Sequence, residues 1–126
     1  MKVKNEFFET LVDIKPLLEK DFTARTAYWM AKIIKKIETE AGAYFTQKQK
    51  LIEKYAAKDE NGKIVSIEGD RIKLEDPQKF KTELDELLAV EVDFGIEKIP
   101  FDLDREPGMK ISEMNIITPF IEVKNG

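Results

Sequence analysis

Residues 54–77 read KYAAKDENGKIVSIEGDRIKLEDP, and they decide the fold because the hydrophobic period changes inside them. Two short β-type runs, "IVSI" and "RIKL", flank Glu68-Gly69-Asp70. With Gly69-Asp70 as a two-residue turn, Ile67 opposes Ile72 and Val65 opposes Leu74, which is a β-hairpin. Asn61-Gly62 supplies a turn ahead of it, and Asp76-Pro77 starts a helix as N-cap and first helical residue. The acids of this stretch thus fall at turns, caps and exposed strand faces.

Upstream the period is helical. From Thr23 to Ala57, the residues Ala27, Ala31, Ile34, Ile37, Ala41, Tyr44, Phe45, Leu51, Ile52 and Tyr55 fall on one stripe, predicting a helix about 50 Å long. Gly42 in its middle is expected to mark a break or a close helix crossing. Residues 5–20 carry Phe7, Phe8, Leu11, Val12, Ile14, Leu17 and Leu18 at helical spacing. Pro16 should kink that helix or end its first part near Ile14 or Lys15.

Downstream, Phe80, Leu84, Leu87 and Leu88 give the helix after Asp76 a core face. "VEVDFGI" alternates as a strand, continuing past Gly95 through "EKIPF" with a bulge or bend. After a turn at Pro107-Gly108, Ser112 caps a short last helix with Met114, Ile116 and Ile117 apolar and Pro119 closing it. The expectation is a single α+β domain over residues 1–126. Its N-terminal half is helical with one long helix, and the hairpin and further strand form a small antiparallel sheet with short helices.

Composition narrows the function. The 126 residues are 42% hydrophobic, enough for a core, and 37% charged, well above the usual quarter. The absence of Cys and His removes disulfides, thiolate sites and the commonest base and transition-metal ligand. No apolar run reaches the roughly 20 residues of a membrane span, and the N-terminus lacks a secretory pattern. An intracellular location is the default. Residues 1–58 hold 12 Lys and Arg against 8 Asp and Glu, whereas residues 59–126 hold 9 against 17; the net −4 hides a basic half and an acidic half.

Asp59, Glu60, Asp70, Glu75 and Asp76 lack the spacing of a calcium loop, and Asp102, Asp104 and Glu106 read as a solvated strand end. The Ser and Thr hydroxyls lack a nucleophile motif, and the six glycines match no phosphate loop. No catalytic, cofactor or metal residue is expected. Arg25, Lys32, Lys35 and Lys36, with Tyr28 or Trp29, would suit nucleic acid, but Glu38, Glu40 and the acidic second half argue against it. Arg25, Trp29, Lys32 and Lys36 share a helix face and are assigned to a protein partner, with Trp29 as anchor. Packing of Trp29 on the first helix is the competing reading. The long helix can also pair with its own copy in a homo-oligomer, or pack within the chain.

"LIEKYAAKDENGKIV", "FKTELDELLAVEVDFGIEKIPF" and "ISEMNIITPFIE", over about residues 45–122, resemble a family of small uncharacterised proteins of tailed bacteriophages and prophages. "EKYAAKDENGK" and "ELLAVEV" are the most specific parts, and the first 40 residues have no counterpart. The resemblance implies phage origin and a place in the host cell cytoplasm or the virion, and it transfers no catalytic residue. The expected function is non-enzymatic: a virion structural or assembly accessory component acting through protein–protein interaction. The alternative is a small phage protein that modulates a host or phage factor, such as a defence or nucleic-acid-processing system.

Overall fold

The computed structural model describes residues 1–11, 14–68 and 71–124. The element order is β1 (Lys2–Lys4), α1 (Glu6–Glu9), α2 (Lys15–Glu19), α3 (Ala24–Tyr55), β2 (Ser66–Glu68), β3 (Arg71–Ile72), α4 (Pro77–Ala89), β4 (Glu91–Asp93), β5 (Ile99–Asp102), α5 (Ile111–Ile117) and β6 (Ile121–Lys124). The class is α+β, with one dominant helix, as the sequence indicates.

The 32 residues of α3 span about 48 Å. Its inward stripe is Thr26, Met30, Ile33, Ile34, Ile37 and Tyr44; Ile34, Ile37 and Tyr44 are buried as expected, whereas Ala27, Ala31 and Phe45 of the expected stripe are exposed. The two faces are close on a helical wheel, and the core selects the one with volume. Met30 and Ile33 fill space that alanines would leave empty. Buried Thr26 is tolerated because the Thr23 hydroxyl donates to its Oγ1 at 3.2 Å. Gly42 neither breaks the helix nor marks a crossing, since α3 runs through it and nothing lies within 4 Å of where its Cβ would stand.

The expected helix over 5–20 is two short ones. The first ends at Glu9, earlier than Ile14, and Pro16 sits in the opening turn of the second, where a missing N–H costs nothing. Val12 lies outside the described residues. Ahead of them, β1 was not foreseen from the sequence. It pairs antiparallel with β4, placing Val3 opposite Val92.

The hairpin forms, with an altered register. Ser66 opposes Ile72 and Glu68 opposes Arg71, with an irregularity between them, so Ile67 does not face Ile72. The expected Gly69-Asp70 turn lies outside the described residues. Leu74 bridges to Ala56 rather than Val65, and Lys58 bridges to Ile64. Three amides close a ring here: Ala57 N–H donates to the Lys73 carbonyl at 2.8 Å, Lys73 N–H to Val65 at 3.0 Å, and Val65 N–H to Ala57 at 2.9 Å. Glu75 N–H then donates to the Tyr55 carbonyl at 2.9 Å, returning the chain to the end of α3. Consequently α4 runs back along α3: Phe80 stacks edge-on to Tyr55, and Lys54 pairs with Glu83 at 3.3 Å. Asp76 caps α4 through the Lys79 N–H at 3.1 Å, as its sequence predicts. Phe80, Leu84, Leu87 and Leu88 are half-buried.

Among the described residues the β-structure is three two-stranded ladders rather than one sheet. The strand expected through Gly95 stops at Asp93; Gly95 takes φ +66°, a conformation natural to glycine, and the chain starts β5 elsewhere. There β5 pairs in parallel with β6, Ile99 opposite Ile121 and Phe101 opposite Val123. A parallel pair needs a long crossover, and α5 supplies it. The turn before α5 is at Leu103–Arg105, with Arg105 N–H donating to the Asp102 carbonyl at 3.1 Å, and not at Pro107-Gly108. Lys110, not Ser112, is the N-cap position of α5: the Glu113 carboxylate reaches back to accept the Lys110 N–H at 2.8 Å. Pro119 follows the end of α5 in a 3₁₀ turn, Thr118–Phe120. The core gathers Phe8, Leu17, Met30, Ile37, Phe101, Ile117 and Phe120 around the first two-thirds of α3, with Phe94 stacked on Phe120 at 4.9 Å.

Candidate functional site

The start of α3 is fixed from across the fold. The Glu106 carboxylate accepts the Thr23 N–H at 3.0 Å, supplying an acceptor to the positive end of the helix. Two turns of α3 then pass the segment Gly95–Pro100. Between them lies an open groove of about 380 Å³ lined by Arg25, Trp29, Gly95, Ile96, Glu97, Lys98, Ile99 and Pro100.

Trp29 is half-buried, with one part packed against the core and another lining the groove. The Trp29 side chain thus spans the edge of the core and the wall of the groove. Tyr28, 56% exposed, meets it edge-on at 5.3 Å between centroids. The Lys32 ammonium stands 4.8 Å from the Tyr28 ring centre and 5.3 Å from that of Trp29, within cation–π range. Arg25, Lys32 and Lys98 make no ion pair among the described residues, so their charge faces solvent. Lys36 is about two turns of α3 beyond the groove and is engaged with Glu40 at 3.6 Å. The structure thus gathers Arg25, Trp29 and Lys32 and leaves Lys36 on the same side but apart. Sequence reasoning missed the opposite wall, Ile96–Lys98. Gly95 and Pro100 bracket that segment, a punctuation typical of a surface loop.

Carboxylates of two of the candidate acidic groups serve local turns. Asp59 accepts the N–H groups of Asn61 at 2.8 Å and Lys63 at 3.0 Å, and Asp102 accepts that of Asp104 at 2.9 Å. Asp70 lies outside the described residues. Among the described residues no three acids converge as metal ligands would. The displaced ionisations have structural causes. Lys48 and Tyr44 hold Glu9 below the usual carboxylate range, and the Tyr55 hydroxyl, then Lys54, do the same for Glu83. The Lys110 N–H, then Lys20 at 3.1 Å, lower Glu113.

A family model described as a protein of unknown function, DUF1617, matches residues 1–99. The chain belongs to the DUF1617 family. No curated protein and no solved structure matches it. The DUF1617 match takes in α3, α4 and all of the groove wall except Pro100. No helix among the described residues of this DUF1617 member is long and apolar enough to cross a membrane.

Proposed function

We propose that the chain is a non-catalytic, phage-encoded protein that works by binding another protein through the groove at the start of α3. It serves as a virion structural or assembly accessory component, in the host cytoplasm or the particle. The observation that carries this reading is Trp29: a half-buried aromatic lining an open groove, beside Arg25 and under Lys32, neither cation having an ion pair among the described residues. Tryptophan, tyrosine and arginine are the residues most enriched among binding hot spots. A non-enzymatic role is further supported by the carboxylates of Glu9, Glu83 and Glu113, occupied by lysines, tyrosines and backbone amides away from this groove, and by that of Asp93 beside it, which accepts the Gly95 N–H at 2.9 Å.

Capture from infected-cell lysate on the immobilised chain tests this. Trp29→Ala should weaken capture by about 2 kcal/mol or more, roughly 30-fold. The double variant R25E/K32E, which leaves the core untouched, should weaken it comparably with an unchanged unfolding curve. Retention of the partner by R25E/K32E would remove this surface from consideration. A fixed copy number in purified particles would support the virion role, and its absence there would favour a modulator of a host or phage factor.

A further inference from the structure

We infer that the partner at this surface is a second copy of the chain, in an antiparallel two-fold dimer along α3; this rests on the reading of Trp29 and Arg25 as contact residues. The same side of α3 carries a second groove, of about 310 Å³, lined by Gln47, Leu51, Glu83, Glu86, Leu87 and Val90. Its chemistry is the converse of the first. Leu51, Leu87 and the half-exposed Val90 give an apolar floor, and Glu83 and Glu86 an acidic wall. Glu83 is held by Lys54 at 3.3 Å, whereas Glu86 makes no ion pair among the described residues. An aromatic and cationic surface thus has its complement on the same molecule.

The two cannot meet within one chain. Trp29 and Gln47 are five helical turns apart, which puts them on one line of α3 and about 27 Å from each other. Two copies of α3 laid antiparallel solve this. With the two-fold axis at the level of Glu38, Trp29 of each protomer meets Gln47 of the other, and Arg25 meets Leu51 beside Glu86. Such a contact is self-complementary and closed, as a two-fold interface must be. Lys36 and Glu40 lie equally far on either side of that level. Already paired in the chain at 3.6 Å, they become an alternating cluster of four charges across the axis. Ala43, exposed and small on the same side of α3, lets the helices approach. The arrangement also gives the basic and acidic halves of the sequence a shared use, each half of one copy facing the opposite half of the next.

Size-exclusion chromatography with light scattering on the full chain is the test, at low and high salt. The wild type should run as a dimer that weakens as salt rises. Arg25→Glu and Glu86→Lys should each weaken dimerisation about tenfold or more, as charge reversals at a complementary interface do, with circular dichroism unchanged. The double variant R25E/E86K should recover the dimer. Within one chain these residues are several turns apart, so recovery reports contact between copies. A monomeric wild type at low salt, or a dimer indifferent to both reversals, overturns the inference. Were the chain monomeric yet able to capture a different protein that R25E/K32E releases, the inference would fail while the groove reading stood. A dimer restored by the double reversal establishes the second copy as the occupant.

Discussion

Glu9 shows how one side chain couples the helices. Its carboxylate accepts from the Tyr44 hydroxyl and from Lys48 at 2.5 Å, so α1 is fastened to the middle of α3. Lys48 and Tyr44 hold Glu9 below its ordinary 4.5. A lowered carboxylate contributes stability above its unfolded value and loses it as pH falls through the folded one. Glu9→Gln should therefore lower the urea midpoint at neutral pH and converge on the wild type in acid. Burial, then Glu9, push the Tyr44 phenol well above its ordinary 10.0, so its contribution is lost only as pH rises beyond that ordinary value. Tyr44→Phe, which keeps the buried ring, should cost about 1.5 kcal/mol, the lower end for a hydrogen bond to a charged group; parallel urea titrations measure it. None of this was legible in the sequence, because Glu9 and Tyr44 are joined by tertiary packing alone. Trp29 was legible: a tryptophan among cations on one helical face stands out without any contact map. Lys36 lies on that same face, and its engagement with Glu40 is a local i,i+4 pair that the sequence also contains.

At the level of elements, α3 was the most readable, because 32 residues give a periodic signal many turns to accumulate. Its ends moved by only one or two residues, and Ile34, Ile37 and Tyr44 are buried as expected, but Met30 and Ile33 take the inward place given to Ala27 and Ala31, since alanines and isoleucines weigh alike in a periodicity count and unlike in a core. The short strands were the least readable. Runs of two to four residues have no period to display, and β1 and β6 acquire their identity from partners far along the chain. Gly42 offers a direct test of the continuous helix. It lies mid-helix, exposed, with open space where a Cβ would be. Gly42→Ala should stabilise the protein by about 0.5–1 kcal/mol, read as a higher melting temperature. Destabilisation would mean that α3 breaks there after all.

For the whole molecule, what the sequence conveyed was class and what it withheld was connection. That the chain is α+β followed from a change of period near Ala57. That β4 binds back to β1, that β5 and β6 run parallel, and that Glu106 closes the start of α3 could not follow, since each joins residues whose separation carries no local signature. The same limit applied to the candidate site. Its helical wall was visible, while its second wall arrives from residues 95–100 only through folding.

The ring of hydrogen bonds joining Ala57, Val65 and Lys73 has a consequence for motion. Each residue both gives and receives, so a single rupture leaves one segment's donor and another's acceptor unpaired and loosens the hold of all three. The three amides should therefore lose protection as one cooperative unit. In native-state deuterium exchange their opening free energies would coincide and shift together with dilute urea, and three unrelated values would mean that the ring fastens nothing. If they coincide, the polypeptide between Tyr55 and Glu75 is an appendage secured by one clasp. Its tip at Asn61-Gly62 would then be the place to attach a dye or an affinity handle without disturbing either groove.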